Sequence, residues 1–128
     1  MGAGTVFSFT VPVSPGGVWT EEVPYSFMGS SGSAGDGANR ESKLSIGPGG
    51  VLYGTTACCG VGRNYGTVFS LTPPASPGGN WIETILHAFG GNDGGGPGAV
   101  IVGAGGVLYG TTSFGGTDDF GTVFGLPL

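Results

Sequence analysis

One histidine, His87, stands in this chain of 128 residues, inside the stretch Trp81–Phe89. A general base needs a reacting proton within hydrogen-bond reach and a group that orients it. No nucleophile accompanies His87, and the similar stretch Trp19–Phe27 holds Tyr25 at the matching place. His87 therefore reads as a strand residue, and no hydrolytic triad is expected. Glu21 and Glu83 also match between these two stretches. A glycosidase needs two carboxylates within roughly 5–10 Å of each other. One glutamate per stretch meets that only near a shared axis, so both read as outward-facing residues of an outer strand. No catalytic residue and no enzymatic activity are expected.

The remaining candidates for chemistry are aspartates and cysteines. Asp36 and Asp93 each precede glycine, whereas Asp118 and Asp119 form a pair in a later loop. Calcium takes several oxygen ligands from one spaced loop, and none of these loops has that spacing. Asp-Gly is a turn signal in its own right. Cys58 and Cys59 are adjacent. Neighbouring strand residues point to opposite faces, and a ring closed between them is strained, so two free thiols are expected. Zinc would need ligands beyond the single histidine. Neither metal nor other cofactor is expected.

These residues sit in a sequence that repeats itself. Gly-Thr-Val-Phe occurs at Gly4–Phe7, Gly66–Phe69 and Gly121–Phe124. Ser14-Pro15-Gly16-Gly17 returns as Ser76–Gly79, and the hexapeptide Val51–Thr56 returns unchanged as Val107–Thr112. Self-similarity at such spacing marks a supersecondary unit that is copied and stacked. Length differences between copies fall in Gly-rich or polar stretches such as Gly29–Gly35, where surface loops absorb insertions.

With 31 Gly and 9 Pro, the composition leaves little room for helix. The hydrophobic fraction is 38% and the charged fraction 9%, which is not the signature of a disordered chain. Three basic residues against eight acidic ones, with no basic run, argue against nucleic acid or an anionic membrane surface as partner. No apolar run is long enough for a helical membrane span. Met1 is followed by neither a basic nor an apolar leader, so no signal peptide is read, and the chain is expected to be a segment of a longer one.

Alternation predicts strands at Thr5–Thr10, Trp19–Phe27, Leu44–Ile46 and Val51–Thr56, and again at Thr67–Leu71, Trp81–Phe89, Ala99–Val102 and Val107–Thr112. The stretch 90–98 reads as a loop. Four antiparallel strands per unit make the blade of a β-propeller, so the fold class expected is all-β with propeller-type blades.

The residues carry a more specific resemblance. Trp81, Glu83, Leu86, Phe89, Asp93-Gly94, Pro97, Leu108–Thr112, Gly115-Gly116 and Gly121–Phe124 together resemble the GloVer tandem-repeat family. The first copy departs from that pattern at Pro24 and at Cys58-Cys59. The resemblance covers nearly the whole chain. It implies a repeat segment of a large, exported bacterial protein, extracellular or attached to the cell surface, and it implies no reaction.

Laid on blades with strands A to D, residues 1–128 form a single repeat array. Residues 4–27 supply strands C and D of a first blade, 44–89 a complete blade, and 99–126 strands A to C of a third. A propeller closes with about four to eight blades, so the partners expected are further blades of a longer chain or copies of this one. The function expected is a scaffold or interaction module, with glycans or surface proteins as binding partners. The alternative is a lectin with sites between blades, since aromatic rings beside polar loop residues stack on sugars. The candidate ligand-binding residues are Tyr65, Phe120, Asp118, Asp119, Trp19 and Trp81, with Tyr65 and Phe120 expected to be exposed and the other periodic aromatics to fill the space between blades.

Overall fold

The structure, a computed structural model, describes residues 3–29, 36–38, 43–60 and 65–128. Alternating apolar residues broken by Gly-rich turns produce twelve strands among them. These are β1 (Thr5–Thr10), β2 (Thr20–Ser26), β3 (Asp36–Ala38), β4 (Ser45–Ile46), β5 (Leu52–Thr56), β6 (Cys58–Gly60), β7 (Thr67–Thr72), β8 (Ile82–Ala88), β9 (Gly95–Pro97), β10 (Ile101–Gly103), β11 (Val107–Phe114) and β12 (Val123–Pro127). The chain is all-β, and every strand pair is antiparallel.

Strands β1 and β2 form a hairpin; β4, β5, β7 and β8 form a four-stranded sheet in chain order; β10, β11 and β12 form a third sheet. Three short strands, β3, β6 and β9, stand outside the expected pattern. β9 pairs with the far end of β11, and β3 pairs with β6. The stretch 90–98 is thus not all loop. Its strand, Gly-Gly-Pro, has no side-chain alternation from which pairing could be read. Among the described residues no helix is long and apolar enough to cross a membrane.

The repeated motifs meet one another across the strands. Gly54 of β5 faces Phe69 of β7, and Gly110 of β11 faces Phe124 of β12. A Cβ at Gly54 would lie 2.6 Å from the Phe69 ring, and one at Gly110 would lie 2.5 Å from the Phe124 ring. The ring covers the glycine, so Tyr-Gly-Thr-Thr and Gly-Thr-Val-Phe fit as a pair. Their threonines meet as well. Thr56 Oγ1 lies 2.8 Å from Thr67 Oγ1, and Thr112 Oγ1 lies 2.9 Å from Thr122 Oγ1. In each pair the second threonine's backbone N–H donates to the first one's hydroxyl, at 3.1 and 2.8 Å.

Two apolar cores lie between the three sheets, and the middle sheet contributes to both. One joins Val6 and Phe27 of the hairpin to Phe69 and Leu71 of the middle sheet, with Leu44, Leu52 and Trp81 packed against them. The other joins Val68, Tyr53 and Phe89 of the middle sheet to Val100 and Leu108 of the third, with Phe124 and Leu126 alongside. Val68 and Phe69 are neighbours in β7 and serve opposite cores, as the two-residue period of a strand requires. The hydroxyl of Ser45 donates to the Val100 carbonyl, and that of Thr55 to Gly98 O at 3.0 Å, tying the middle sheet to the segment that enters the third.

A register shift turns β8 from one core to the other. Val68 pairs with His87 and Phe69 with Ile85, so Leu86 is the extra residue of a bulge. Before it, Trp81 packs toward the hairpin; after it, Phe89 packs toward the third sheet. The β1–β2 pair shifts register at the matching place, where Pro24 stands. Proline has no N–H to give a ladder, and a bulge is one of the few strand positions that accepts it.

Candidate functional site

The structure places one polar latch at each seam between sheets. In the first, Tyr25 on β2 donates its hydroxyl to Asp36 Oδ2 at 3.0 Å. The Met28 amide donates to both oxygens of the same carboxylate, at 3.1 and 2.9 Å. Asp36 is buried, and these donors are what make its burial tolerable. In the second, His87 Nε2 lies 2.8 Å from Asp93 Oδ2, and the Gly90 amide donates to Asp93 Oδ1 at 2.8 Å. His87 and Gly90 stand where Tyr25 and Met28 stand in the first seam. Asp36 thus ties its strand to the hairpin, whereas Asp93 closes the turn that follows β8 onto His87.

Glu83 overturns its expected outward orientation. It lies on the hairpin side of β8, half-buried, and its Oε1 is buried with no hydrogen-bond partner among the described residues. Burial first, and then the charge of Asp36, push its carboxyl up to about 7. The Tyr25 hydroxyl is raised far above the ordinary tyrosine range by burial, by its bond to Asp36, and by the charges of Glu83 and Asp36. Three acidic groups thus crowd one seam. Glu83 lies ahead of the Leu86 bulge and shares the face of Trp81, two residues before it, so alternation from Trp81 puts it at this seam. At Asp93, burial pulls upward, but the Gly90 amide and His87 outweigh it and hold the carboxyl below its ordinary value. Glu21, on the exposed side of the hairpin, takes no part in the seam.

The loops at one edge enclose a polar cleft of about 300 Å³, lined by Tyr65, Gly90, Gly91, Asn92, Phe114, Gly115, Gly116 and Asp119. The rings of Tyr65 and Phe114 lie 6.1 Å apart, tilted by 57°. Loop-to-loop bonds hold its walls: Gly116 N–H to Gly91 O at 3.2 Å, and Gly115 N–H to Asp119 Oδ1 at 2.8 Å. Asp119 has φ 61, a left-handed conformation that aspartate accepts more readily than most residues. Among the described residues no cluster of three or more His, Cys, Asp or Glu side chains is arranged to hold a metal ion.

The sequence-derived candidates separate here. Tyr65 and Asp119 line the cleft, and Tyr65 is partly buried against the second core rather than freely exposed. Phe120 is 90% exposed and lies outside it, as does Asp118. Trp81 is packed in the first core, whereas Trp19, its counterpart on the hairpin, is 57% exposed. Of the periodic aromatics expected to fill space between sheets, Trp81 and Tyr53 do so, whereas Trp19 and Tyr109 lie on faces that no described sheet covers. Asn92 and Phe114, absent from the candidates, join the cleft through loop approaches that no local pattern signals.

The expected free thiols are also corrected. Cys58 is disulfide-bonded, in a chain whose other cysteine is its neighbour. Strand β6 begins at Cys58 and pairs with β3, so the oxidised cysteine sits beside Asp36's strand. No family model, curated protein or solved structure matches this chain.

Proposed function

We propose that this chain is a non-enzymatic repeat scaffold, an interaction module of an exported, surface-attached protein of the GloVer type, built from propeller-like blades. Its partners are further blades of a longer chain or other copies of this one. One observation carries the reading. The residues exposed at the two ends are counterparts of those that bury the two inner cores. Phe7 and Phe9 correspond to Phe69 and Leu71; the first pair is 58% and 54% exposed, and the second is fully buried. At the other end Val123 and Tyr109, 81% and 44% exposed, correspond to Val68 and Tyr53, which are buried. A soluble chain rarely presents such faces unless something covers them.

The two faces are of different kinds, so contact between copies runs head to tail. Such contacts close into rings or extend as filaments. Replacing Phe9 and Val123 with serine, singly, tests this. Each substitution removes apolar area from one end and weakens association, while leaving both inner cores intact. Association unaffected by either change would remove the support for the reading.

A second reading is favoured by the cleft. Tyr65 and Phe114 offer ring faces and Asn92 and Asp119 offer polar groups, a combination that suits a neutral sugar. Titration with an oligosaccharide panel tests it, and binding would be lost on Tyr65→Ala.

A further inference from the structure

Four glycines line the polar cleft, Gly90, Gly91, Gly115 and Gly116, and all four amides are engaged within the loops. Gly90 N–H donates to Asp93 Oδ1 and Gly115 N–H to Asp119 Oδ1, each at 2.8 Å. Gly91 N–H donates to Gly94 O at 3.1 Å, and Gly116 N–H to Gly91 O at 3.2 Å. The Asp119 amide is directed to Gly116 O at 3.4 Å. Glycine-rich loops bind anions when successive free amides converge on one point. The glycines here have none to give, and among the described residues no basic side chain lines the cleft.

What the cleft does offer attracts a cation. Asp119 accepts from Gly115 through Oδ1, and its Oδ2 accepts no hydrogen bond among the described residues. Asp118 stands beside it, in a chain whose net charge is -5. The rings of Tyr65 and Phe114 lie 6.1 Å apart and are tilted by 57°. A cation on the open side of that pair lies within ~6 Å of both, close enough for attraction to the ring faces. Calcium takes roughly six to eight oxygen ligands, and one carboxylate between two rings does not supply them. The arrangement suits an organic ammonium instead.

We infer that the cleft binds a sugar carrying a protonated amine, of the kind found in unacetylated glucosamine. The ammonium donates to Asp119 Oδ2 and lies against Tyr65 and Phe114. The Asn92 amide, donor and acceptor both, serves the hydroxyls beside it. A lysine side chain would use the carboxylate and the rings but leave Asn92 idle. The inference rests on the sugar-binding reading of the cleft, and it changes the ligand from a neutral sugar to a cationic one.

Calorimetric titration at about pH 6, where an amine carries its proton, tests it. The probes are a short glucosamine oligomer and the same oligomer N-acetylated. Asp119→Asn keeps an oxygen that accepts from Gly115 and a residue type that tolerates φ 61, and removes only the charge. The expected result is saturable one-to-one binding of the glucosamine oligomer, about tenfold tighter than that of the acetylated one. Added salt weakens it, Asp119→Asn weakens it by about tenfold, and Phe114→Leu weakens it as well. Equal affinity for the acetylated oligomer, or no loss in Asp119→Asn, would overturn the inference and leave the sugar reading standing. A lysine blocked at both ends that binds as tightly as monomeric glucosamine would also overturn it. No binding by these oligomers or by neutral oligosaccharides would remove both.

Discussion

The hydroxyls of Thr56 and Thr67 lie 2.8 Å apart in a fully buried seam between β5 and β7. Each belongs to one of the two motifs that recur along the chain, and the contact explains why the motifs travel together. The Thr67 amide donates to the same Thr56 oxygen, so Thr56 serves two partners at once.

Valine at either position keeps the shape but leaves a buried polar group without its partner. Thr56→Val should cost about 1–3 kcal/mol, since an orphaned buried donor loses its full solvation. The double substitution Thr56→Val with Thr67→Val should cost less than the sum of the singles. Urea denaturation of the four proteins checks this, and strict additivity would mean that the hydroxyls do not act as a pair.

Stability should fall as pH rises toward neutrality. The Glu83 carboxyl is raised in the folded chain to about 7 from an ordinary 4.5. Its contribution is fully present below the unfolded value and is lost as pH rises through the folded one. Discounted for its partial exposure, the change is of order 1–2 kcal/mol. Glu83→Gln removes the titration and should flatten thermal unfolding measured between pH 4.5 and 7.5. An unchanged pH profile in that variant would place the raised carboxyl elsewhere.

The disulfide at Cys58 predicts that the denatured, unreduced chain reacts with no thiol reagent and that two thiols appear after reduction. Two reactive thiols before reduction would contradict it.

At the cleft, Tyr65→Ala and Asp119→Ala should each abolish whatever sugar binding the chain shows, whereas Phe120→Ala should leave it unchanged. Calorimetric titration distinguishes these. Loss on Phe120→Ala alone would move the site from the cleft to the exposed loop tip.

Much of the framework was legible in the residues. Thr67–Leu71 and Thr5–Thr10 were readable as strands because β-branched and aromatic residues alternate there. Their environments were not readable. Phe7 and Phe69 sit in nearly identical hexapeptides, yet one is exposed and the other buried, because only the second has a sheet on that side. Alternation puts Glu83 on the face of Trp81, but only the neighbouring hairpin makes that face a buried one. The role of Asp36 depends on its meeting Tyr25 and Met28 of the hairpin, which spacing along the chain does not encode. Asn92 and Phe114 reach the cleft for the same reason.

The central claim is that the exposed end faces exist to be covered. Sedimentation equilibrium over a wide concentration range tests it most directly. The account predicts an average mass that climbs with concentration through head-to-tail species, and that drops toward a single chain in Phe9→Ser and Val123→Ser. A mass of one chain at every concentration, unchanged by either substitution, would contradict it.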